Sequence, residues 1–210
     1  MLTTRAWSWT REPGYKVTVT NPTDAELVES CLAGRREAFD LLVERHQRHV
    51  YQLCYRFVGN HEDASDLAQD VFIRAYRALG KFKGEASLGT WLYRIGVNVC
   101  LNKVGAKAPK PDPLDPLLAA SDERIAAIGE SADAALLRGE RAGQVRAAIA
   151  RLPRKQRATL ILRVYHELPH EEIAGILGSS VGAVKANFFH ALSNLKKLML
   201  EAGMNPGSEK

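Results

Sequence analysis

The segment LPHEEIAGILGSSVGAVKANFFHALSNLKKL, residues 168–198, decides the fold of the C-terminal part of the chain. Pro169 suits the first turn of a short helix, because the N–H that it lacks would have no partner there. Gly178 supplies a turn, and the hydroxyl of Ser180 can cap a second helix. The apolar residues of that second helix recur every three or four positions and should face inward: Val181, Val184, Phe188, Ala191 and Leu195. This pattern predicts two helices joined by a tight turn, a helix-turn-helix.

The outward side of the second helix carries the residues that would meet a partner. In this register they are Lys185, Ala186, Asn187, Phe189, His190 and Ser193. Such a helix lies in the DNA major groove, with its early residues at base edges and its basic ones at phosphates. Residues 136–203 hold eleven basic and five acidic groups, a net charge of +6 that is typical of a phosphate-binding module. A solvated basic surface on a helical protein that binds no DNA is the alternative.

Helical periodicity covers most of the remaining chain. Apolar spacing predicts helices over 24–33, 35–58, 62–80, 88–104, 134–151, 154–166, 170–177 and 181–201. No stretch alternates apolar and polar residues as a half-buried strand would. Residues 105–131 have four prolines and weak periodicity, with room for one helical turn around 122–128. The sequence therefore predicts an all-α fold of two helical domains joined by a flexible linker.

Charge and proline content set the domain boundaries. The predicted parts are an N-terminal extension (1–23), a first domain without net charge (24–105), an acidic Pro-rich linker (106–135), a second domain (136–203) and a tail (204–210). The extension carries Trp7 and Trp9, and we expect it to be disordered or to be a docking arm for a regulator.

Composition excludes several classes of protein. The 210 residues, 46% apolar and 25% charged, are ordinary for a globular protein, and no apolar run reaches the ~18 residues of a membrane span. The N-terminus lacks an apolar signal core, so we expect no export. Cys31, Cys54 and Cys100 form no metal-binding or redox spacing, and we expect them to be small core residues in a reducing cytoplasm. No phosphate loop, nucleophile motif or metal-ligand cluster occurs, so no enzyme activity, catalytic residue, metal or cofactor is predicted.

The segment EDASDLAQDVFIRAYRAL, residues 62–79, has the most regular helical pattern in the chain. One continuous apolar stripe contains Ala64, Leu67, Ala68, Val71, Phe72, Ala75 and Leu79. Polar and acidic residues crowd the first turns and form what we call the acidic ridge: Asp63, Asp66, Gln69 and Asp70. Asp70 and Arg74 can pair across one turn. A well-capped solvated face explains this polarity, and so does a docking surface for a basic partner.

A second helical segment, GTWLYRIGVN at residues 89–98, presents two contrasting faces. Its buried stripe should contain Leu88, Leu92, Ile95 and Val99. Trp91, Arg94 and Asn98 recur at the same steps on another face. An exposed indole costs solubility, so Trp91 is either partly tucked in or part of a surface that meets a partner.

Taken together, these segments resemble an extracytoplasmic-function (ECF, group 4) sigma factor of the bacterial sigma-70 family. The likeness covers about residues 24–104 and 138–200, with DLAQDVFIRAYRALGKFKG, TWLYRIGVN and LPRKQRATLILRVYHELPHEEIAGILGSSVGAVK in the family's order. It implies a first domain, region 2, that binds core RNA polymerase and melts the −10 promoter element. It implies a second domain, region 4, that reads the −35 element by helix-turn-helix. The implied partners are the β′ clamp and β flap of the polymerase, promoter DNA and an anti-sigma factor, in an envelope or stress response.

The resemblance also implies roles for individual residues of region 2. The acidic ridge, with Arg74, falls on the family's contact with the β′ clamp. What we call the −10 face comprises Phe82, Lys83, Ser87, Trp91, Arg94 and Asn98. Within it, Trp91 would stack where base pairs part, Arg94 would neutralise phosphate and Asn98 would bond a base edge. The loop KFKGEASL would hold a flipped base, with Phe82 as an apolar wall, Lys83 attracting the backbone, and Gly84 and Ser87 leaving room. The alternatives are that Trp91 only seals the domain core and that Asn98 only caps local structure.

In region 4 the resemblance is incomplete. The −35 contacts would come from Ser180, Lys185, Asn187, Phe189 and His190. The family usually has arginine at the positions of Lys185, Asn187 and His190, so bidentate reading of guanine is weakened here. In the family the linker threads a nucleic-acid channel, so its acids would mimic phosphates, unless it is an ordinary solvated linker. A stand-alone helix-turn-helix regulator and a helical adaptor that sequesters another protein are the rival functions.

Overall fold

The computed structural model describes residues 22–106 and 132–203, which are all-helical apart from turns and short connections. The first four helices are α1 (Asp24–Leu32), α2 (Glu37–Val58), α3 (His61–Ala78) and α4 (Leu88–Ala106), with a 3₁₀ turn at Leu79–Lys81. The other four are α5 (Ala132–Ala150), α6 (Arg154–Val164), α7 (His170–Leu177) and α8 (Val181–Glu201). The prediction of an all-α fold is confirmed. The predicted extension, tail and turn around 122–128, and nearly all of the linker, lie outside the described residues.

The first bundle, α1–α4, packs around α2. Val50, Leu53 and Phe57 of α2 are almost completely buried, as is Val71 of α3. α4 crosses α2 closely at Gly96, where an added Cβ would lie 2.8 Å from Cδ2 of Leu53. A larger residue there would require the buried Leu53 side chain to shift, so this glycine permits the close approach of the two helices.

The second bundle, α5–α8, contains the predicted helix-turn-helix. Gly178 ends α7 at a φ of 57°, in the left-handed region that favours glycine. The Ser180 hydroxyl accepts a hydrogen bond from the Ala183 N–H at 3.2 Å, so Ser180 caps α8 as predicted. The predicted inward register of α8 is also confirmed, since Val184 and Ala191 are fully buried. Asn194 of α8 donates to the side chain of Gln156 on α6 at 2.8 Å, which fixes α8 on the bundle.

The two bundles pack against each other, which the sequence did not predict. α4 contacts α7, and α2 contacts both α5 and α6. Arg157 of α6 is only 3% exposed, and its guanidinium donates to the backbone oxygen of Phe57 at the end of α2. Burial lowers the pKa of this arginine to about 10. Beside it, Arg154 donates to the backbone oxygen of Leu101, so two arginines of α6 bind carbonyls of the first bundle.

Candidate functional site

The acidic ridge on α3 divides into two parts. Asp66 and Gln69 are exposed, whereas Asp63 is bound by neighbours within the protein. The Asp63 carboxylate accepts from the side-chain amide of Asn60 at 3.0 Å and lies 2.8 Å from the Lys103 ammonium on α4. Asp63 therefore joins the start of α3 to the end of α4.

The predicted pair between Asp70 and Arg74 forms as expected. Nε of Arg74 lies 3.0 Å from both carboxylate oxygens of Asp70, and a second guanidinium nitrogen lies 2.9 Å from Oδ2. Exposed apolar residues continue the ridge one and two turns further along α3: Ile73 is 43% exposed and Tyr76 is 47% exposed. The sequence analysis did not single out these two residues, although their spacing from Gln69, four and seven positions, places them on the same side of the helix.

The face of α4 that carries Trp91, Arg94 and Asn98 is separate from its buried stripe. Leu88, Leu92 and Val99 are buried as predicted and Ile95 is partly buried, whereas Arg94 and Asn98 are exposed. Trp91 is partly buried, and its ring lies 5.2 Å from the ring of Phe82, so the indole both packs on the bundle and borders solvent. Asn98 lies in the middle of α4, far from either end, which argues against a capping role.

Ser87 performs the capping function at the start of α4. Its hydroxyl accepts from the Thr90 N–H at 3.0 Å and lies 2.8 Å from the Thr90 hydroxyl. This contact explains why the loop gives way to helix at Leu88. The sequence analysis treated Ser87 only as a small residue of a base-binding pocket.

A cavity of about 430 Å³ lies where the loop at residues 81–86 meets α4. Phe82 and Trp91 supply aromatic walls, and the charged residues of the lining are three cations and one carboxylate: Lys81, Lys83, Arg94 and Glu85. The far side of the cavity is formed by α7 of the second bundle, through Gly175 and Ile176. The cavity therefore combines apolar surface with cations, as a site for an aromatic anion requires.

The outer face of α8 is open by comparison. Lys185 and His190 are exposed, Phe189 is 70% exposed and Asn187 is half-buried. The Phe189 and His190 rings lie edge to face at 5.8 Å. These side chains lie on one surface of α8, in the register that the sequence predicted.

Metal sites, membrane spans and cysteines can be checked in the part of the chain that the structure describes. There, no group of three or more His, Cys, Asp or Glu side chains is arranged to hold a metal ion. No described helix is long and apolar enough to cross a membrane. Cys54 and Cys100 are buried in the first bundle, and Cys31 is partly exposed.

Comparison with protein families assigns both bundles. The family description Sigma-70 region 2 matches residues 42–108, and the description Sigma-70, region 4 matches residues 142–195. A bundle matching region 2, followed by a helix-turn-helix matching region 4, defines a sigma factor, the class of protein that directs RNA polymerase to promoters.

Individual relatives narrow the class further. The RNA polymerase sigma-H factor of Pseudomonas aeruginosa is 37% identical over 186 residues, covering 86% of this chain and 96% of the relative. The ECF RNA polymerase sigma-E factor of Escherichia coli is 38% identical over 173 residues, covering 80% and 90%. The chain belongs to the extracytoplasmic-function sigma factors of the sigma-70 family.

Solved structures agree with this assignment. The structure of CnrH in complex with the cytosolic domain of CnrY shares 27% identity, with a TM-score of 0.59 over 85% of this chain and 97% of that one. The sigma factor RpoE of Bartonella quintana, solved with the anti-sigma factor NepR, shares the fold at 20% identity and a TM-score of 0.55, over 77% and 96%.

Proposed function

We propose that this chain is a group 4 sigma factor that binds core polymerase through the acidic ridge, melts promoters with the −10 face and reads the −35 element with α8. The observation that carries the proposal is the −10 face itself. An aromatic pair, three cations that include the exposed Arg94, and one carboxylate line a cavity of about 430 Å³ in the bundle that matches region 2. The exposed Asn98 lies one turn further along α4.

The acidic ridge is proposed to dock on the β′ clamp. Asp66 and Gln69 are exposed, and complementary charge across an interface speeds encounter and fixes register. The apolar side chains of Ile73 and Tyr76 add surface whose burial stabilises a complex. Asp63 contributes indirectly, because its ion pair with Lys103 holds α3 against α4. The same proposal includes a contact between the second bundle and the β flap of the polymerase.

The −10 face is proposed to separate the promoter strands. A base that leaves the stack loses its neighbours, and an aromatic ring such as Trp91 or Phe82 offers a new surface on which to stack. Lys83 and Arg94 are exposed and can neutralise the phosphates of the displaced strand. Asn98 can both donate to and accept from a base edge.

The −35 element is proposed to meet α8. Lys185 offers a point charge rather than a planar fork, so we expect it to bind phosphate. Asn187 reaches a base edge only in part, because it is half-buried, and its amide suits adenine. Phe189 is exposed enough to contact thymine methyl groups. His190 adds a third polar group on this face, and Ser180, which caps α8, holds the start of the helix.

Control by an anti-sigma factor, in an envelope or stress response, completes the proposal. Its support is that the similar proteins were solved as complexes, one with the cytosolic domain of CnrY and one with the anti-sigma factor NepR. A cytoplasmic location follows from the proposed partner, since bacterial RNA polymerase works there.

Run-off transcription with core polymerase and a promoter library, with and without this chain, tests the proposal. We expect new transcripts that start at defined positions only when the chain is present. A stand-alone helix-turn-helix regulator would bind DNA but give no start sites with core alone. A sequestering adaptor would do neither, and each of these results would contradict the proposal.

A further inference from the structure

The cavity of about 430 Å³ is formed by both bundles. The first bundle contributes the loop at residues 81–86 and one side of α4, and the second contributes Gly175 and Ile176 of α7. Ile176 is 4% exposed, whereas Gly175 borders open space, since an added Cβ there would meet nothing within 4 Å. Small-molecule sites occupy roughly 300–1,000 Å³. The cavity therefore has the size of a small-ligand site to which each bundle supplies a wall.

The cations of this cavity have no anionic partner in the part of the chain that the structure describes. There, the side chains of Lys81, Lys83 and Arg94 are exposed and form no ion pair or hydrogen bond. Three cations against the one carboxylate of the lining, Glu85, leave a net charge of +2. Clustered like charges repel one another, and a bound anion relieves that repulsion.

The apolar part of the lining suits a flat aromatic ring. The rings of Phe82 and Trp91 lie 5.2 Å apart at an angle of 53°, and both side chains pack on the core of the first bundle. Ile176 adds apolar surface from α7. Because aromatic side chains stack on bases of any kind, a base that enters the cavity gains contacts with both bundles.

One class of small molecule satisfies both parts of the lining. An uncharged aromatic compound would leave the cations unpaired, and inorganic phosphate would leave the apolar surface without a partner. A nucleoside phosphate carries a flat base and several negative charges in one molecule. The Glu85 carboxylate can accept a hydrogen bond from the exocyclic amino group of adenine, guanine or cytosine.

We propose that the cavity is a binding site for a free nucleoside phosphate whose base carries an amino group. The base packs on the aromatic pair and on Ile176, and the phosphates bind the three cations. Since the ligand contacts both bundles, its binding also stabilises their packing. The ligand shares the aromatic pair with the displaced promoter base, so nucleotide and promoter strand compete. Only this competition rests on the proposed function.

The test uses the fluorescence of Trp91 in the full-length chain. The sequence contains three tryptophans, at positions 7, 9 and 91, so Trp7→Phe with Trp9→Phe leaves Trp91 as the only indole. Stacking of a base on the indole quenches its emission. The probes are ATP, adenosine, inorganic triphosphate and a single-stranded oligonucleotide that carries the −10 element. Adenosine lacks the phosphates and inorganic triphosphate lacks the base, so the probes separate the two contacts.

Two substitutions in this background test the two walls. Gly175→Phe fills the cavity from α7, and its control is Gly182→Phe on α8, another helical glycine where a Cβ meets nothing within 4 Å. Lys83→Ala removes one cation, and its control is Lys197→Ala at an exposed position of α8. Lys83 lies in an exposed loop, so its variant keeps the test valid if Gly175→Phe unfolds the second bundle, which circular dichroism would reveal.

We expect ATP to quench Trp91 to saturation, with a dissociation constant at least about tenfold below that of adenosine, and inorganic triphosphate not to quench. Gly175→Phe and Lys83→Ala should each weaken ATP binding several-fold to about tenfold relative to their controls.

The contrary outcomes separate the nucleotide site from the −10 assignment. Equal quenching by ATP in Gly175→Phe and Gly182→Phe would overturn the wall from α7, and displacement of ATP by inorganic triphosphate at equal affinity would overturn recognition of the base. If the oligonucleotide quenches and ATP does not, the nucleotide site is wrong and the −10 assignment stands. If ATP quenches as expected and the oligonucleotide neither quenches nor competes, the nucleotide site stands and the −10 assignment is wrong. Trp91 emission that responds to neither would refute both.

Discussion

The −10 face and the outer face of α8 are built in opposite ways. Trp91 and Phe82 pack on each other and on the core of the first bundle, beside a cavity whose far side α7 forms. On α8, Phe189 is 70% exposed and Lys185 and His190 stand in solvent. The first surface is preformed around a cavity, and the second is open.

This difference suits the role that we propose for each surface. Melting needs stacking platforms held in place, because a displaced base has to find its partner at once. Reading a duplex in the major groove needs side chains that extend from a helix into the groove. The face of α8 presents less positive charge than an arginine-bearing one, which weakens its general attraction to phosphates.

The largest expected effect would show whether the first bundle alone holds the polymerase. Reversing Asp66 and Asp70 to Lys replaces attraction by repulsion at a charged interface, a change on the order of several kcal/mol. Co-purification with core polymerase should collapse while helicity is retained. The control is Asp40→Lys with Glu44→Lys, the same change of charge at exposed positions on α2. Equal retention of polymerase by both double variants would refute the ridge as the docking site.

The next largest effect is expected at the −10 face. Asn98→Ala and Trp91→Ala should each weaken open-complex formation by about 1–3 kcal/mol, with less effect on polymerase binding. Permanganate reactivity of unpaired thymines near −10 measures the open complex. A large fall in the thermal midpoint of Trp91→Ala would instead show that this residue seals the core.

A third prediction concerns the outer face of α8, where arginine can be introduced at two positions. Asn187→Arg with His190→Arg should tighten −35 binding, steepen its salt dependence by about one to two phosphate contacts and shift base preference toward guanine. A binding selection on randomised −35 DNA at several salt concentrations measures all three. Identical preferences and salt slopes for wild type and variant would mean that these side chains do not face the groove.

The last expected effect arises at the junction between the two regions. Burial, with repulsion from His49 and Arg56 of α2, lowers the pKa of His166 from 6.5 to about 4. The Tyr93 hydroxyl on α4 bonds its Nδ1, and its Nε2 is buried without a partner among the described residues. When the two bundles separate, the His166 ring is exposed and binds a proton below pH 6.5. The separated form therefore holds more protons than the packed form between about pH 6.5 and 4.

The stability of the packed bundles relative to the separated bundles should therefore fall by about 1.4 kcal/mol per pH unit as the pH falls through that window. Below the window it should fall no further. Scattering measured between pH 7 and 5 should show expansion as the pH falls. His166→Gln cannot be protonated and should flatten this dependence. A wild-type profile that matches that of the variant would show that another group controls any opening.

Much of this structure could be predicted from local pattern. The register of α8, the cap at Ser180 and the turn at Gly178 depend on neighbours within four residues, and all three were predicted correctly. Contacts between distant residues leave no such pattern. The pair of Asp63 with Lys103 spans 40 residues and the bond from Arg157 to Phe57 spans 100, so neither the anchored part of the ridge nor the packing of the two bundles was foreseen. The cap at Ser87 was missed because its loop was interpreted as a pocket.

The central claim is that the two regions divide the work at a promoter, and it is tested by run-off transcription on matched templates. One template carries both elements, a second has a scrambled −35 element and a third has a scrambled −10 element. We predict that the arginine-restored α8 alters the response to the −35 element alone. Trp91→Ala, in contrast, should depress transcription on every template that still carries the −10 element. Variants of both regions that change the response to the same element would contradict the division.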